Sequence, residues 1–337
     1  MKKSVLASAV VMALSVSAAY AGDIVTINPD GPGPDAFGVN ATIQVGGLGW
    51  NNGNALSTSA QPVAGELINT YAHASLANFQ DPNGNPIGGL LLNAPVANGY
   101  EWTYAAGFQE QVISVGTTPG GFPSAQFVTT GATGAGVPNF FNIYFDTARN
   151  ANNLTGQGFV DGTPILSGHF LAFNALGSGE GTSNFDGTSA NAGALDQFGA
   201  NNYPNIQSVA GAGSSNLAIL VDSFDPAFFT FGVTPGHIQV IWLNFDTFQN
   251  LPYQTQNPSA CFWGGTGYID GAGGQGTACV NSVGALNGGQ DPTASGPNVM
   301  FETRSSNDFV TVPEPASLAL LGIGLIGLGL ARRKNKA

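Results

Sequence analysis

The side chains that could ligate a metal, attack a substrate or move protons are few and scattered. The 337 residues hold two cysteines, three histidines and twenty carboxylates, against eight lysines and arginines. Cys261 and Cys279 lie 18 positions apart and bracket a Gly-rich stretch, Trp263 to Thr277. Such a pair closes a disulfide, with about 3 kcal/mol of stabilisation on a chain-entropy view, or gives two thiolates to a metal. A metal needs two further ligands, and His73, His169 and His237 are remote in sequence. A disulfide is therefore the expectation, with no metal and no cofactor. Each histidine stands singly in a strand or turn, where a packed or hydrogen-bonded imidazole is the ordinary role.

Aromatic residues offer a second kind of chemistry, stacking on sugar rings. Trp263 and Tyr268 lie in the Gly-rich stretch between the cysteines, and such stretches run over the surface. They are candidates for glycan stacking, with packing as the competing role. Trp102 and Tyr104 share one face of an alternating segment and read as core. Glycoside hydrolysis needs only two carboxylates about 5 to 10 Å apart. With twenty acids, roughly one per fifteen residues, no pair can be assigned.

Other catalytic patterns are absent. There is no Gly-x-Ser-x-Gly elbow, no His-Glu-x-x-His pair, and no lysine for a phosphate loop. Gly271-Gly273-Gly276 and Gly322-Gly324-Gly327 match Gly-x-Gly-x-x-Gly in spelling alone, since neither sits in a βαβ unit. Asp81-Pro82-Asn83-Gly84-Asn85 begins like a calcium loop. Pro86 then replaces the required Gly and Leu92 the required Glu, leaving an Asx-rich turn. No residue is assigned a catalytic role.

Charge placement excludes a further class. Lys2, Lys3, Arg332, Arg333, Lys334 and Lys336 lie at the ends, so only Arg149 and Arg304 face the twenty carboxylates between. Phosphate neutralisation requires Lys and Arg, so nucleic acid is not a partner. Charged residues make up 8%, against about 25% in ordinary globular chains. A hydrophobic share of 43%, with 22 Phe, still supplies a core. The 49 glycines follow no G-X-Y period, which excludes collagen.

Both ends read as addresses. Met1-Lys2-Lys3, the apolar run Val5 to Val16, and Ala19-Tyr20-Ala21 before Gly22 form a secretory signal peptide over residues 1–21. The alternative, a membrane anchor, is disfavoured because the apolar run is short. At the other end, Val312-Pro313-Glu314-Pro315 precedes sixteen uncharged residues, 316–331, and then Arg332-Arg333-Lys334. As a helix that run covers about 24 Å against a hydrocarbon core of about 30 Å. The basic cluster keeps its end cytoplasmic.

This tail, 312–337, resembles the PEP-CTERM sorting signal of Gram-negative bacteria. The resemblance implies transient insertion in the inner membrane through the apolar helix, with an exosortase as partner during export. It also implies cleavage near Pro313-Glu314-Pro315 and delivery to the cell surface or to exopolysaccharide. An extracellular address in turn favours pairing of the two cysteines.

Residues 22–311 remain for the fold, and alternation dominates them. Strands are predicted at Val39–Val45, Leu67–Phe79, Tyr100–Tyr104, Gln111–Val115, Gln126–Thr130, Phe140–Asp146, Pro164–Phe173, Leu217–Ser223, Ile238–Thr247, Val299–Thr303 and Phe309–Val312. Turn signals such as Thr118-Pro119-Gly120-Gly121 separate nearly all of them. Short strands without intervening helices predict an all-β domain, an antiparallel sandwich or jelly roll.

Within that domain, three segments carry a narrower resemblance. They are Ile165-Leu166-Ser167-Gly168, Leu195-Asp196-Gln197-Phe198-Gly199 with Asn202-Tyr203-Pro204, and Val221-Asp222-Ser223-Phe224-Asp225-Pro226-Ala227-Phe228-Phe229. They resemble the flocculation-associated PEP-CTERM proteins known as PepA. That resemblance implies a secreted, non-enzymatic matrix protein that helps cells and exopolysaccharide form flocs or biofilm. A glycan-binding module and a secreted polysaccharide hydrolase are the alternatives. Mature extracellular protein should lack both Lys2-Lys3 and the Arg332 to Lys336 cluster. Mass spectrometry of released material tests this, and peptides spanning Leu318 to Leu330 would contradict it.

Overall fold

The computed structural model describes residues 23–32, 41–58, 63–189, 193–208, 210–232, 237–245, 253–271, 279 and 298–313. Alternation decides which face of each segment turns inward. Phe141 and Ile143 are buried in the main core, while Asn142 between them faces outward. The next strand repeats the pattern, with Leu166 and Phe170 inside and Ser167 and His169 outside.

The strands, in chain order, are β1 (Val25–Ile27), β2 (Ile43–Val45), β3 (Gly47–Trp50), β4 (Gly53–Thr58), β5 (Leu67–Gln80), β6 (Glu101–Thr117), β7 (Pro123–Thr129), β8 (Phe140–Asp146), β9 (Thr163–Phe170) and β10 (Thr182–Gly187). After them come β11 (Gly193–Ala194), β12 (Gln207–Ser208), β13 (Gly211–Phe224), β14 (Phe229–Thr230), β15 (His237–Phe245), β16 (Cys261–Trp263), β17 (Tyr268–Asp270), β18 (Val299–Thr303) and β19 (Ser305–Pro313). The all-β antiparallel expectation holds, and among the described residues there is no helix.

Twelve strands form one sheet in the order β10-β7-β6-β8-β9-β13-β15-β19-β3-β5-β4-β18. Two additional pairings, β6 with β5 and β10 with β13, bend it back on itself. The ring β6-β8-β9-β13-β15-β19-β3-β5 is thereby closed, antiparallel at every step. It is a sheet-on-sheet architecture joined along its seams, in which most strands have no free edge.

Aromatic rings fill the inside. Trp102 meets Phe79 and Phe229 edge to face, with centroids 5.0 and 5.4 Å apart, and its Nε1 donates to the Pro29 carbonyl at 2.8 Å. Tyr104 packs on Trp50 and Phe141 at 4.7 and 5.5 Å. Both expected core aromatics are completely buried. A separate three-stranded sheet, β14-β1-β2, contributes Val25, Ile27, Val45 and Phe229 to the same core.

A second cluster lies on the outer face of β4, β5 and β18, where Leu56 and Met300 meet Leu195, Tyr203, Tyr253 and Phe262 from the connecting segments. His73 of β5 belongs to that layer. Its ring stacks between Phe159 and Phe262, at 4.0 and 4.7 Å, and its Nε2 lies 2.9 Å from Ser259 Oγ. Complete burial pushes its pKa down to about 3. An unfolded imidazole titrates near 6.5, so this stability is present in full above that pH. It is lost as the pH falls toward 3, because the unfolded chain then binds the extra proton. Glu110, which accepts from Ser183 Oγ and Thr70 Oγ1, is pushed up by burial and so acts in the opposite direction. His73→Phe keeps an aromatic stack and removes the titration. Its loss of stability between pH 7 and pH 4.5, read from urea melts, should be roughly 2 to 3 kcal/mol smaller than that of the natural protein. Equal losses in the two proteins would contradict this assignment.

Candidate functional site

The aromatic residues singled out between the cysteines form a small hairpin. β16 and β17 pair Cys261 with Asp270, Phe262 with Ile269, and Trp263 with Tyr268. Cys261 and Cys279 are joined by a disulfide with their Cα atoms 5.7 Å apart, within the usual range. Beneath the hairpin runs the loop after β8, and Gly156 there has φ +70°. A Cβ at Gly156 would collide with the Cys261 carbonyl, so both the backbone conformation and the close approach demand glycine.

Phe262 points down into the second core cluster, and Trp263 is half-buried. The Trp263 and Tyr268 rings meet at 5.5 Å with an interplanar angle of 74°. They make a corner and not a flat platform. Burial, then the charge of Asp161 and the neighbouring Tyr144, pushes the Tyr268 hydroxyl up from its ordinary value. At the hairpin turn, a Cβ on Gly265 would stand 3.2 Å from the Phe140 ring. The hairpin thus follows the outer side of β8, with Tyr268 toward the Tyr144 end and Gly265 toward Phe140.

Polar residues continue this outer face across β8, β9 and β13. Asn142 lies opposite Ser167, Ser167 opposite Ser223, and His169 opposite Leu220. The Ser167 and Ser223 hydroxyls are 2.6 Å apart, and His169 Nδ1 lies 2.9 Å from each Asp222 oxygen. Asp222 occupies a bulge between Val221 and Ser223, a device that re-aims a side chain. The pairing unites the first and third of the three segments that carried the narrower resemblance. The middle segment lies elsewhere: Leu195 and Tyr203 are in the second core cluster, and Asp196 accepts from the Phe198 and Asn202 amides at 3.0 and 2.7 Å. Sequence reading missed the His169–Asp222 pair, because residues 53 positions apart meet only through strand pairing.

Most buried carboxylates are engaged in holding loops. Glu101 accepts from the Asn150 and Ala151 amides at 2.6 and 3.1 Å, and burial pushes its pKa up. Glu302 accepts from the Gln254 and Thr255 amides at 3.2 and 3.1 Å. Among the described residues no group of three or more His, Cys, Asp or Glu could hold a metal. The Asp81 turn is an Asx turn, with Oδ1 accepting from the Asn83 and Asn85 amides at 2.8 Å each. His237 lies at the start of β15.

The two addresses meet the fold at one place. β19 continues to Pro313, opposite His237, and Val312 of the expected sorting segment is buried. The Asp23 amide, just past the expected cleavage site, donates to the Phe309 carbonyl at 2.7 Å. Ala19, Ala21, Gly22, Glu314, Pro315, the run 316–331, Arg332, Arg333 and Lys334 lie outside the described residues.

Residues 311–334 match the PEP-CTERM protein-sorting motif. The chain therefore carries the signal for exosortase processing and export to the surface or exterior of a Gram-negative cell. No curated protein and no solved structure matches it. In exported protein, iodoacetamide without reductant should label neither Cys261 nor Cys279, and reduction should cost about 3 kcal/mol of stability. Labelling of both before reduction would contradict the pairing.

Proposed function

We propose that this chain is a non-enzymatic protein of the extracellular matrix that associates cells with exopolysaccharide, in the manner of the flocculation-associated PEP-CTERM proteins it resembles. In this reading it is anchored in the inner membrane only transiently, until the tail is cut. The observation that carries the reading is the outer face of β8, β9 and β13 with its hairpin. There Trp263, Tyr268, Asn142, Ser167, His169, Asp222 and Ser223 place rings and hydrogen-bonding groups side by side at the surface. Aromatic rings flanked by amide, hydroxyl and carboxylate groups suit a hydroxyl-rich polymer, whose sugars have both apolar faces and polar rims.

Glycan binding without a matrix role is the second reading, favoured by the same face. A hydrolase is disfavoured because Glu101, Asp196 and Glu302 give their oxygens to backbone amides instead of facing one another across a cleft. Deleting the gene should reduce cell aggregation, the full chain should restore it, and a version ending before Pro313 should not. Undiminished aggregation on deletion, or complete rescue by the tail-less version, would overturn the proposal. Release of reducing ends from exopolysaccharide by the purified chain would establish the hydrolase instead. Like-charge repulsion adds a colloidal consequence. Millimolar calcium, or acid near the isoelectric point of about 4.3, should increase the light-scattering size of the purified protein. An unchanged size under both conditions would leave cohesion to neutral contacts.

A further inference from the structure

The proposed face has a property that neutral sugars do not use. Trp263 and Tyr268 meet close to a right angle, so they present a corner of two π faces. Asp161 is exposed in the bend two residues before β9, whose first pairs set Phe145 opposite Thr163 and Tyr144 opposite Pro164. Its Oδ2 accepts from the Asn150 side-chain amide at 2.9 Å. Arg149, the nearest arginine in sequence, gives its Nη1 to the Ala94 carbonyl. Farther along the same face stands Asp222, about half exposed. Perpendicular aromatic rings attract an organic ammonium ion through their quadrupoles, and the charge of Asp161, which is felt at the Tyr268 hydroxyl, adds to that attraction. An anionic polymer would meet the opposite: twenty carboxylates, with two arginines between the chain ends.

We propose that the Trp263–Tyr268 corner and Asp161 bind the ammonium group of an amine-bearing polysaccharide, a polymer containing free hexosamine units, in preference to neutral or uronate glycans. The proposal rests on the glycan reading above and names its substrate class. The sugar ring would lie on one wall of the corner while its ammonium group faces the Asp161 carboxylate.

The test uses mature exported protein and four soluble probes at fixed salt. These are partly de-N-acetylated poly-N-acetylglucosamine, the same polymer after complete N-acetylation, alginate and poly-lysine. The de-N-acetylated polymer should bind about tenfold more tightly than its N-acetylated form, and alginate weakest. Trp263→Ala and Asp161→Asn should each weaken that binding about tenfold, while Trp263→Phe retains part of it. Thermal melting identifies any variant that is unfolded, and Asp161→Asn, a surface change of one atom, keeps the test decisive if Trp263→Ala does not fold. Equal binding of both hexosamine polymers would overturn the amine preference and leave the glycan reading standing. Binding of none of the three polysaccharides would overturn both. Poly-lysine bound as tightly, with the same Trp263 dependence, would reassign the corner to protein amines. Binding insensitive to both substitutions and abolished by salt would reduce it to general polyanion attraction.

Discussion

Closure depends on β6. This strand of 17 residues pairs with β8 along its first half, with β5 through its middle and with β7 beyond, so three neighbours share one backbone. Without the β5 contact the ring would be an open sheet with a long apolar edge, a template for pairing with other chains. With it, Trp102, Tyr104, Ala106 and Phe108 project into one enclosed core. The small residues beside them matter as much: Gly107 lies against the Phe140 ring, where a Cβ would intrude. β13 plays the corresponding part across the barrel, pairing with β9, β15 and β10.

A closed sheet leaves its connecting segments outside, and apart from Arg149 on the Ala94 carbonyl they are fixed with few cations to draw on. Backbone amides do that work. Glu101 and Glu302 each collect two amides from a distant loop, and Asp196 collects two from its own. Such charge-assisted bonds are stronger than neutral ones and offset part of the desolvation of a buried carboxylate. Glu180 does the same within its own turn, taking the Ser178 amide and hydroxyl at 3.1 and 2.8 Å. The scarcity of lysine and arginine is therefore compatible with stability. It leaves the exposed acids, Asp161 and Asp222 among them, to set how the surface meets other charges.

Legibility in the sequence followed the side chains. Phe140–Asp146 alternates cleanly and forms β8 at the predicted bounds, and Val299–Thr303 forms β18 at its own. Tyr100–Tyr104 and Gln111–Val115 were predicted as two strands and are parts of one, because Ala105-Ala106-Gly107 carries too little apolar contrast to read as strand. Gly211 to Asn216 in β13 and Gly47–Trp50 in β3 escaped for the same reason: small residues pair through their backbone, and periodicity sees only side chains. Ring closure was beyond reach, since it depends on pairings between distant segments. The disulfide was legible from the extracellular address and the want of further metal ligands, and Trp263 and Tyr268 were legible as candidates from their place in a Gly-rich stretch. The His169–Asp222 contact could not, because a bulge decides where Asp222 points.

Export and folding share the last strand. β19 lies between β15 and β3, and its residues Ser306, Asn307 and Asp308 pair with β3 while the whole strand pairs with β15. Trp50 Nε1 donates to Asn307 Oδ1, so an aromatic of the core is oriented from this strand. The ring cannot close until these residues have arrived, and they are among the last before the sorting motif. Beyond Phe309 the strand still contributes buried Val310 and Val312 to a third apolar cluster. A cut before Val312 would remove one of the four buried members of that cluster, whereas a cut after Pro313 leaves every described strand intact. The Asp23 amide on the Phe309 carbonyl brings the other terminus to the same strand. Asp23 and Pro313, the first and last described residues, therefore both lie along β19. The face bearing Trp263 and Asp161 belongs to β8, β9 and the hairpin. In the ring, β8 and β9 are separated from β19 by β13 and β15, so the strand that runs into the sorting motif and the face bearing Trp263 are built from different parts of the sheet.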